Sequence, residues 1–110
     1  MKCMNKVQLI GYLGKDPEIK EYGTGNSLAI FRMATDSLFR DSSGKVIKRT
    51  EWHTVKLWGD EPLLKFSSTL IKGSHVLVEG QLVYKKIKTR SGRLAEVADI
   101  NAYLIIDLDR

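Results

Sequence analysis

Cysteine and histidine are scarce in this chain of 110 residues, and long apolar runs are missing. The single cysteine, Cys3, cannot form an internal disulfide, which fits a reducing compartment and predicts a cytoplasmic protein. The two histidines, His53 and His75, occur without CxxC or HxxxH spacing, so we expect no bound metal. No segment approaches the roughly 20 apolar residues of a membrane helix, and the polar start of the chain does not resemble a secretory signal.

Motifs that carry catalysis are also lacking. Residues 11–15 (GYLGK) contain two glycines and a lysine but not the GxxxxGK[ST] spacing of a phosphate-binding loop. The acidic residues on predicted strands, Glu51 and Glu79, form no cluster of the kind that a metal-dependent nuclease needs. A nuclease therefore remains a minor alternative, and we predict a protein without enzymatic activity and without a cofactor.

The overall composition is that of one ordinary globular domain, which we predict over residues 1–110. Hydrophobic residues make up 43% of the chain and charged residues 28%, which argues against disorder. Eighteen Lys and Arg face thirteen Asp and Glu, a formal net charge of +5. This modest excess suggests a polyanionic partner.

Alternation of apolar and polar residues is the dominant pattern and predicts five β-strands. The predicted strands lie at about 4–13, 28–35, 48–58, 75–86 and 94–106. Turn-forming residues separate them at 23–26, and predicted hairpin tips lie at 41–45 and 89–93. Three glycines suit the bends and close approaches of a small barrel, namely Gly11, Gly59 and Gly80.

One helix is predicted between the third and fourth strands. Asp60 suits its N-cap, Pro62 its first turn and Gly73 its C-terminal cap. The apolar residues at helical spacing are Leu63, Phe66 and Leu70, widened by Leu64 and Ile71, and we expect them to plug a core. Five strands with a helix in this place are the order of an all-β, five-stranded OB-fold barrel.

The third predicted strand carries the most informative pattern. Trp52, Thr54, Lys56 and Trp58 share one face, whereas His53, Val55 and Leu57 share the other, which is the better core face. Two outward indoles with a lysine between them are suited to stacking on bases and neutralising phosphate. The competing interpretation is that one or both tryptophans pack inside the core.

Two basic hairpins with aromatic residues support the same hypothesis. Residues 82–95 contain Lys85, Lys86, Lys88, Arg90 and Arg93, without an acid and with Tyr84 at the base. This segment follows the fourth strand, and the loop between strands four and five is a usual oligonucleotide-binding element of OB-folds. The other hairpin contains Phe39, Arg40, Lys45, Lys48 and Arg49. A solvated, aggregation-resistant hairpin is the alternative for each.

Four segments in order resemble the bacterial single-stranded DNA-binding protein family. They are 4–11 (MNKVQLIG) with 13–18 (LGKDPE), 31–35 (FRMAT), 49–55 (RTEWHTV) and 72–82 (KGSHVLVEGQL). The resemblance covers about residues 4–104. It implies a five-stranded OB barrel, usually a homotetramer, that coats single-stranded DNA in replication, repair and recombination. A homodimer is the alternative assembly, and the protein would be associated with the nucleoid.

The resemblance also implies residue roles. The main stacking aromatics of the family fall on Phe39, Trp52 and Trp58, while a fourth stacking position, commonly Trp, is Ile87 here. Either binding is weaker for that reason or Tyr84 compensates. The predicted ssDNA-binding residues are Phe39, Trp52, Lys56, Trp58, Lys72, Tyr84, Lys85, Lys86, Lys88, Arg90 and Arg93. Residues expected in subunit contacts are Asn5, Lys6, Val7 and His53; a core histidine with a satisfied hydrogen bond is the alternative for His53.

The end of the sequence departs from the family pattern. The family usually continues into a Gly/Pro/Gln-rich linker and an acidic tip that recruits replication proteins, whereas this sequence ends with 107–110 (DLDR). Either a tail has been removed or this is a short form, such as one from a phage or mobile element. We therefore do not expect recruitment through such a tail. A primosome-type OB-fold accessory protein, acting mainly through protein partners, is the alternative function.

Overall fold

The computed structural model describes residues 2–22, 26–59 and 61–109. It contains six strands and one helix in this order: β1 (Val7–Leu13), β2 (Glu18–Tyr22), β3 (Asn26–Arg40), β4 (Val46–Gly59), α1 (Glu61–Ser68), β5 (His75–Lys88) and β6 (Leu94–Asp107). Across the described ranges, no helix reaches the length and apolarity that crossing a membrane requires.

The sheet closes on itself as a five-stranded barrel. Its strand order is β1-β5-β6-β4-β3, and β1 pairs with β3 again to complete the circle. All of these pairings are antiparallel except that of β4 with β6, which is parallel. The predicted all-β, five-stranded OB barrel with one short helix after its third long strand is therefore confirmed.

The short strand β2 extends the sheet beyond the barrel and is absent from the sequence prediction. Its residues, 18–22 (EIKEY), are exposed on both faces, so no apolar alternation marks them. Pairing with the start of β3 holds them in the strand, with Glu18 opposite Ile30 and Tyr22 opposite Asn26. Of the predicted turn at 23–26, residues 23–25 lie outside the described residues.

The barrel interior is filled by alternate side chains of the long strands, and for β4 these lie on the face that the sequence analysis assigns to the core. Phe31 and Met33 of β3, Val55 of β4 and Val78 of β5 are almost completely buried. Phe66 of α1 packs against this cluster. Phe66 thus contributes to the core as predicted, whereas Ile71 is 61% exposed because it follows the end of the helix, and the side chains of Leu63 and Leu64 lie outside the described residues.

The helix is shorter than the sequence indicates. It ends at Ser68, and the hydroxyls of Ser68 and Thr69 donate to the carbonyls of Lys65 and Phe66 at 2.8 and 2.6 Å. Hydroxyls that bond to nearby carbonyls favour helix ends over helix interiors. Leu70 is buried beyond the last turn, and Gly73 adopts φ 91° in the following turn rather than capping the helix. The predicted N-cap, Asp60, lies outside the described residues.

Candidate nucleic-acid interface

Both tryptophans of β4 lie on the outer surface of the barrel. Trp52 is 53% exposed and Trp58 is 51% exposed, whereas Val55 and Leu57 between them face inward and are buried. The core interpretation of the tryptophans is therefore wrong. Each indole presents roughly half of its surface to solvent on the same face of one strand.

A cleft surrounds Trp52. Its ring lies so close to Gly14 that a Cβ on that glycine would overlap the ring. The guanidinium of Arg32 lies 5.9 Å from the ring centroid and donates to the Thr54 hydroxyl at 2.9 Å. An open cleft of about 290 Å³ is lined by Gly14, Lys15, Arg32 and Trp52. The cleft combines a flat aromatic wall with two cations.

Trp58 has an aromatic neighbour that sequence reasoning missed. Tyr22 of β2 lies with its ring centroid 5.9 Å from that of Trp58, at an interplanar angle of 30°. The contact arises because β2 and β4 flank the beginning of β3, where Leu28 pairs with both Lys20 and Trp58. A single tyrosine in a polar segment gives no periodic signal. Arg32, which alternation places on a strand face, is likewise outside the predicted site.

Lys56, between the two indoles, is paired with a carboxylate. Its ammonium lies 2.9 Å from Oδ2 of Asp99 on β6, and the ammonium of Lys85 lies 3.1 Å from the same oxygen. The hydrogen bond to Asp99 raises the pKa of Lys56. Burial opposes ionisation of Asp99, yet hydrogen bonds from the two lysines dominate and lower its pKa. Both shifts favour the charged forms of Lys56 and Asp99 at neutral pH.

The β5–β6 hairpin divides its predicted residues between two faces. Lys85 and Ile87 alternate with Tyr84, Lys86 and Lys88 along β5, so the two sets project to opposite sides. Lys85 and Ile87 project to the face that also carries Lys56, because Lys56 and Lys85 contact the same Asp99 oxygen. Tyr84 projects to the other face, so its ring does not lie where the side chain of Ile87 lies. The tip at 89–93 holds Arg90 and Arg93 in exposed positions.

The remaining predicted DNA-binding residues lie at two other places. Phe39 is 39% exposed near the tip of the β3–β4 hairpin, with the Arg49 guanidinium 5.0 Å from its ring centroid. Ala34 of β3 pairs with Trp52. Phe39 is five residues from Ala34 on the same strand, so by alternation Phe39 and Trp52 project to opposite faces of the hairpin. Lys72 is exposed in the turn after α1, where its N–H donates to the Asp16 carboxylate at 2.8 Å.

The residues predicted for subunit contacts have partners within this chain. Asn5 extends the pairing of β1, because its side chain accepts from the Leu82 N–H at 2.9 Å and donates to the Leu82 carbonyl at 2.8 Å. Lys6 forms an ion pair with Glu79 at 3.1 Å. Val7, at the start of β1, is half-buried against the core cluster.

His53 is half-buried and hydrogen-bonded. Its Nε2 lies 2.8 Å from the Thr35 hydroxyl, and burial lowers the pKa of the ring. The neutral imidazole is favoured, which agrees with the alternative interpretation of a satisfied histidine. Within the described residues, no group of three or more His, Cys, Asp or Glu side chains is arranged to hold a metal ion.

Comparison with known sequences identifies a family and named relatives. A family model described as the single-strand binding protein family matches residues 4–106. Single-stranded DNA-binding protein 1 of Chlorobaculum tepidum is 47% identical over 79 residues, which are 72% of this chain and 48% of that protein. The single-stranded DNA-binding protein of Xylella fastidiosa is 37% identical over 99 residues, 90% of this chain and 60% of that protein. The chain thus spans about half to three fifths of these relatives.

Solved structures show the same barrel. The structure of Plasmodium falciparum SSB in complex with ssDNA matches with a TM-score of 0.89 at 29% identity, covering 99% of this chain and 98% of that one. A deletion mutant of the single-stranded DNA-binding protein from Thermus aquaticus matches with a TM-score of 0.81 at 27% identity, covering 96% of this chain and 50% of that one. In sequence and in barrel topology alike, the chain belongs to the single-strand binding protein family.

Proposed function

We propose that this chain binds single-stranded DNA without sequence preference and coats unpaired strands during replication, repair and recombination. The observation that carries the proposal is the outer face of β4, where two half-exposed indoles stand beside cationic side chains. Base stacking on such rings contributes roughly 1–3 kcal/mol per base and accepts any base, because every base has a π-face. Relatives named single-stranded DNA-binding proteins support this assignment over the accessory-protein alternative.

The proposed roles follow from the side-chain chemistry. Aromatic rings would stack on bases, and lysines and arginines would neutralise phosphates. The stacking residues we propose are Phe39, Trp52, Trp58 and Tyr84. The phosphate-binding residues we propose are Lys56, Lys72, Lys85, Lys86, Lys88, Arg90 and Arg93. In the described part of the chain, the one helix packs against the barrel core, so it is not placed to read bases in a groove.

The protein is proposed to act by binding rather than catalysis, as one domain over residues 1–110, in the cytoplasm at the nucleoid.

We also propose that it assembles as a homotetramer, with Asn5, Lys6, Val7 and His53 near subunit contacts. An exposed apolar patch supports assembly, since Ile10 of β1 and Ile106 of β6 flank Leu77 of β5 on the outer side of the barrel. Light scattering at micromolar concentration should give four times the chain mass of 12.5 kDa; a monomer would refute the assembly.

Fluorescence titration tests the DNA-binding proposal directly. Adding oligo(dT) at low salt should quench tryptophan emission strongly, because both tryptophans of the chain lie on the proposed surface. Raising the salt concentration should weaken binding steeply, since phosphate neutralisation releases counterions. Oligo(dC) should bind within the same range, whereas duplex DNA should compete poorly. Absence of quenching at low salt would end the proposal.

A further inference from the structure

One buried carboxylate joins two of the proposed phosphate-binding lysines. Asp99 lies on β6, between β4 and β5, and its side chain is only 8% exposed. The ammonium groups of Lys56 from β4 and Lys85 from β5 both contact its Oδ2, at 2.9 and 3.1 Å. Three barrel strands thus contribute one charge each to a single cluster, which we call the Asp99 cluster.

The cluster carries one net positive charge, because two ammonium groups surround one carboxylate. Lys56 is 20% exposed in its side chain, and Lys85 is 45% exposed. The Asp99 side chain is therefore covered, while both lysine side chains are partly open to solvent. A phosphate approaching from outside would meet the cations first.

The cluster lies along the proposed DNA path. Lys56 is two residues from Trp58 and four from Trp52 on the same strand face, so its position in β4 lies between those of the two tryptophans. The two rings lie about 20 Å apart along β4, so different bases of one extended strand that stack on them would be joined by a backbone that passes this point. Asp99 presents to the lysines the same kind of charged oxygen that a phosphate presents.

We propose that Lys56 and Lys85 form one phosphate-binding subsite and that Asp99 sets its strength by competing with the phosphate for both ammonium groups. The inference rests on the DNA-binding function proposed above. Asp99 is a positioning residue in this scheme, since it holds the two lysines together without touching DNA. In the free protein it limits the subsite to one unit of positive charge.

Counting charges gives an ordering that can be measured. Asp99→Asn leaves two positive charges, wild type has one, the Asp99→Asn/Lys85→Gln double variant has one, and Lys85→Gln has none. Affinity for oligo(dT) should fall in that order, with the double variant close to wild type. The slope of log K against log salt should change by about 0.7 per charge and per occupied subunit, the value typical of single strands.

A matched variant separates the local effect from net charge. Glu21→Gln makes the same charge change on β2, at an exposed position that pairs with Ser27 and projects to the face opposite Tyr22. It should leave the salt slope at the wild-type value. An equal increase of the salt slope in Glu21→Gln and Asp99→Asn would overturn the proposal, as would a slope in Asp99→Asn that equals that of wild type.

Circular dichroism checks that every variant is folded. If Asp99→Asn does not fold, the comparison of Lys85→Gln with the double variant remains, because the double variant has a single lysine beside an uncharged amide. The double variant should then bind more tightly than Lys85→Gln, and equal affinity would refute the inference. Wild type that shows no quenching would instead refute the DNA-binding function itself.

Discussion

Trp52→Ala should weaken binding of oligo(dT) by about 1–3 kcal/mol per occupied site, which is about 5- to 150-fold in Kd. The reason is the loss of a ring that forms the wall of the cleft beside Arg32 and Lys15. Fluorescence quenching can still be measured, because Trp58 is then the one remaining tryptophan. Trp58→Ala should give a loss of the same size, monitored through Trp52.

Conservative and distant variants separate stacking from general damage to the surface. Trp52→Phe retains a flat ring and should keep most of the affinity. Leu38→Ala removes a highly exposed apolar side chain from the same hairpin without removing a ring, and it should bind as wild type does. Since the indole is half exposed, thermal stability should change little in Trp52→Ala. A loss of affinity that follows unfolding, or an equal loss in Leu38→Ala, would contradict stacking.

Gly80→Ala should destabilise the fold by about 1–3 kcal/mol, the usual cost of overpacking. The added Cβ would overlap the Asn101 carbonyl oxygen and lie 2.8 Å from the Ala102 Cα, and backbone atoms at a sheet pairing cannot move aside cheaply. This glycine lies where the β5–β6 register shifts, so the strands approach closely there. The melting temperature should fall by about 5–20 °C, measured by circular dichroism.

Gly14→Ala is the informative comparison for this prediction. Its Cβ would meet only the far edge of the Trp52 ring, a side chain that can rotate into solvent. We therefore expect a melting temperature near that of wild type but a weaker affinity for oligo(dT), because the ring is displaced from its place in the cleft. Wild-type stability in Gly80→Ala, or a larger destabilisation in Gly14→Ala, would contradict this interpretation of the two close approaches.

The strand faces were predictable because burial imposes a period of two on them. In β4 the alternation of His53, Val55 and Leu57 with the tryptophans is enough to distinguish the core face from the surface face. The exposed β2 strand has no buried face, so the same signal could not reveal it. The helix end was also misplaced, since Leu70 fits a helical stripe yet is buried just beyond the last turn.

Local pattern along the chain was enough to specify five strands, a helix that plugs the barrel and a strand face with two outward indoles. Which groups meet across strands depended on how the strands are ordered and paired. Tyr22 reaches Trp58 through the pairing of β2 and β4 with β3, and Asp99 reaches Lys56 and Lys85 because β6 lies between their strands. Periodicity reports whether a side chain faces core or solvent, whereas register and strand order decide its neighbours. The charge available to a phosphate at Lys56 is therefore a property of the folded barrel.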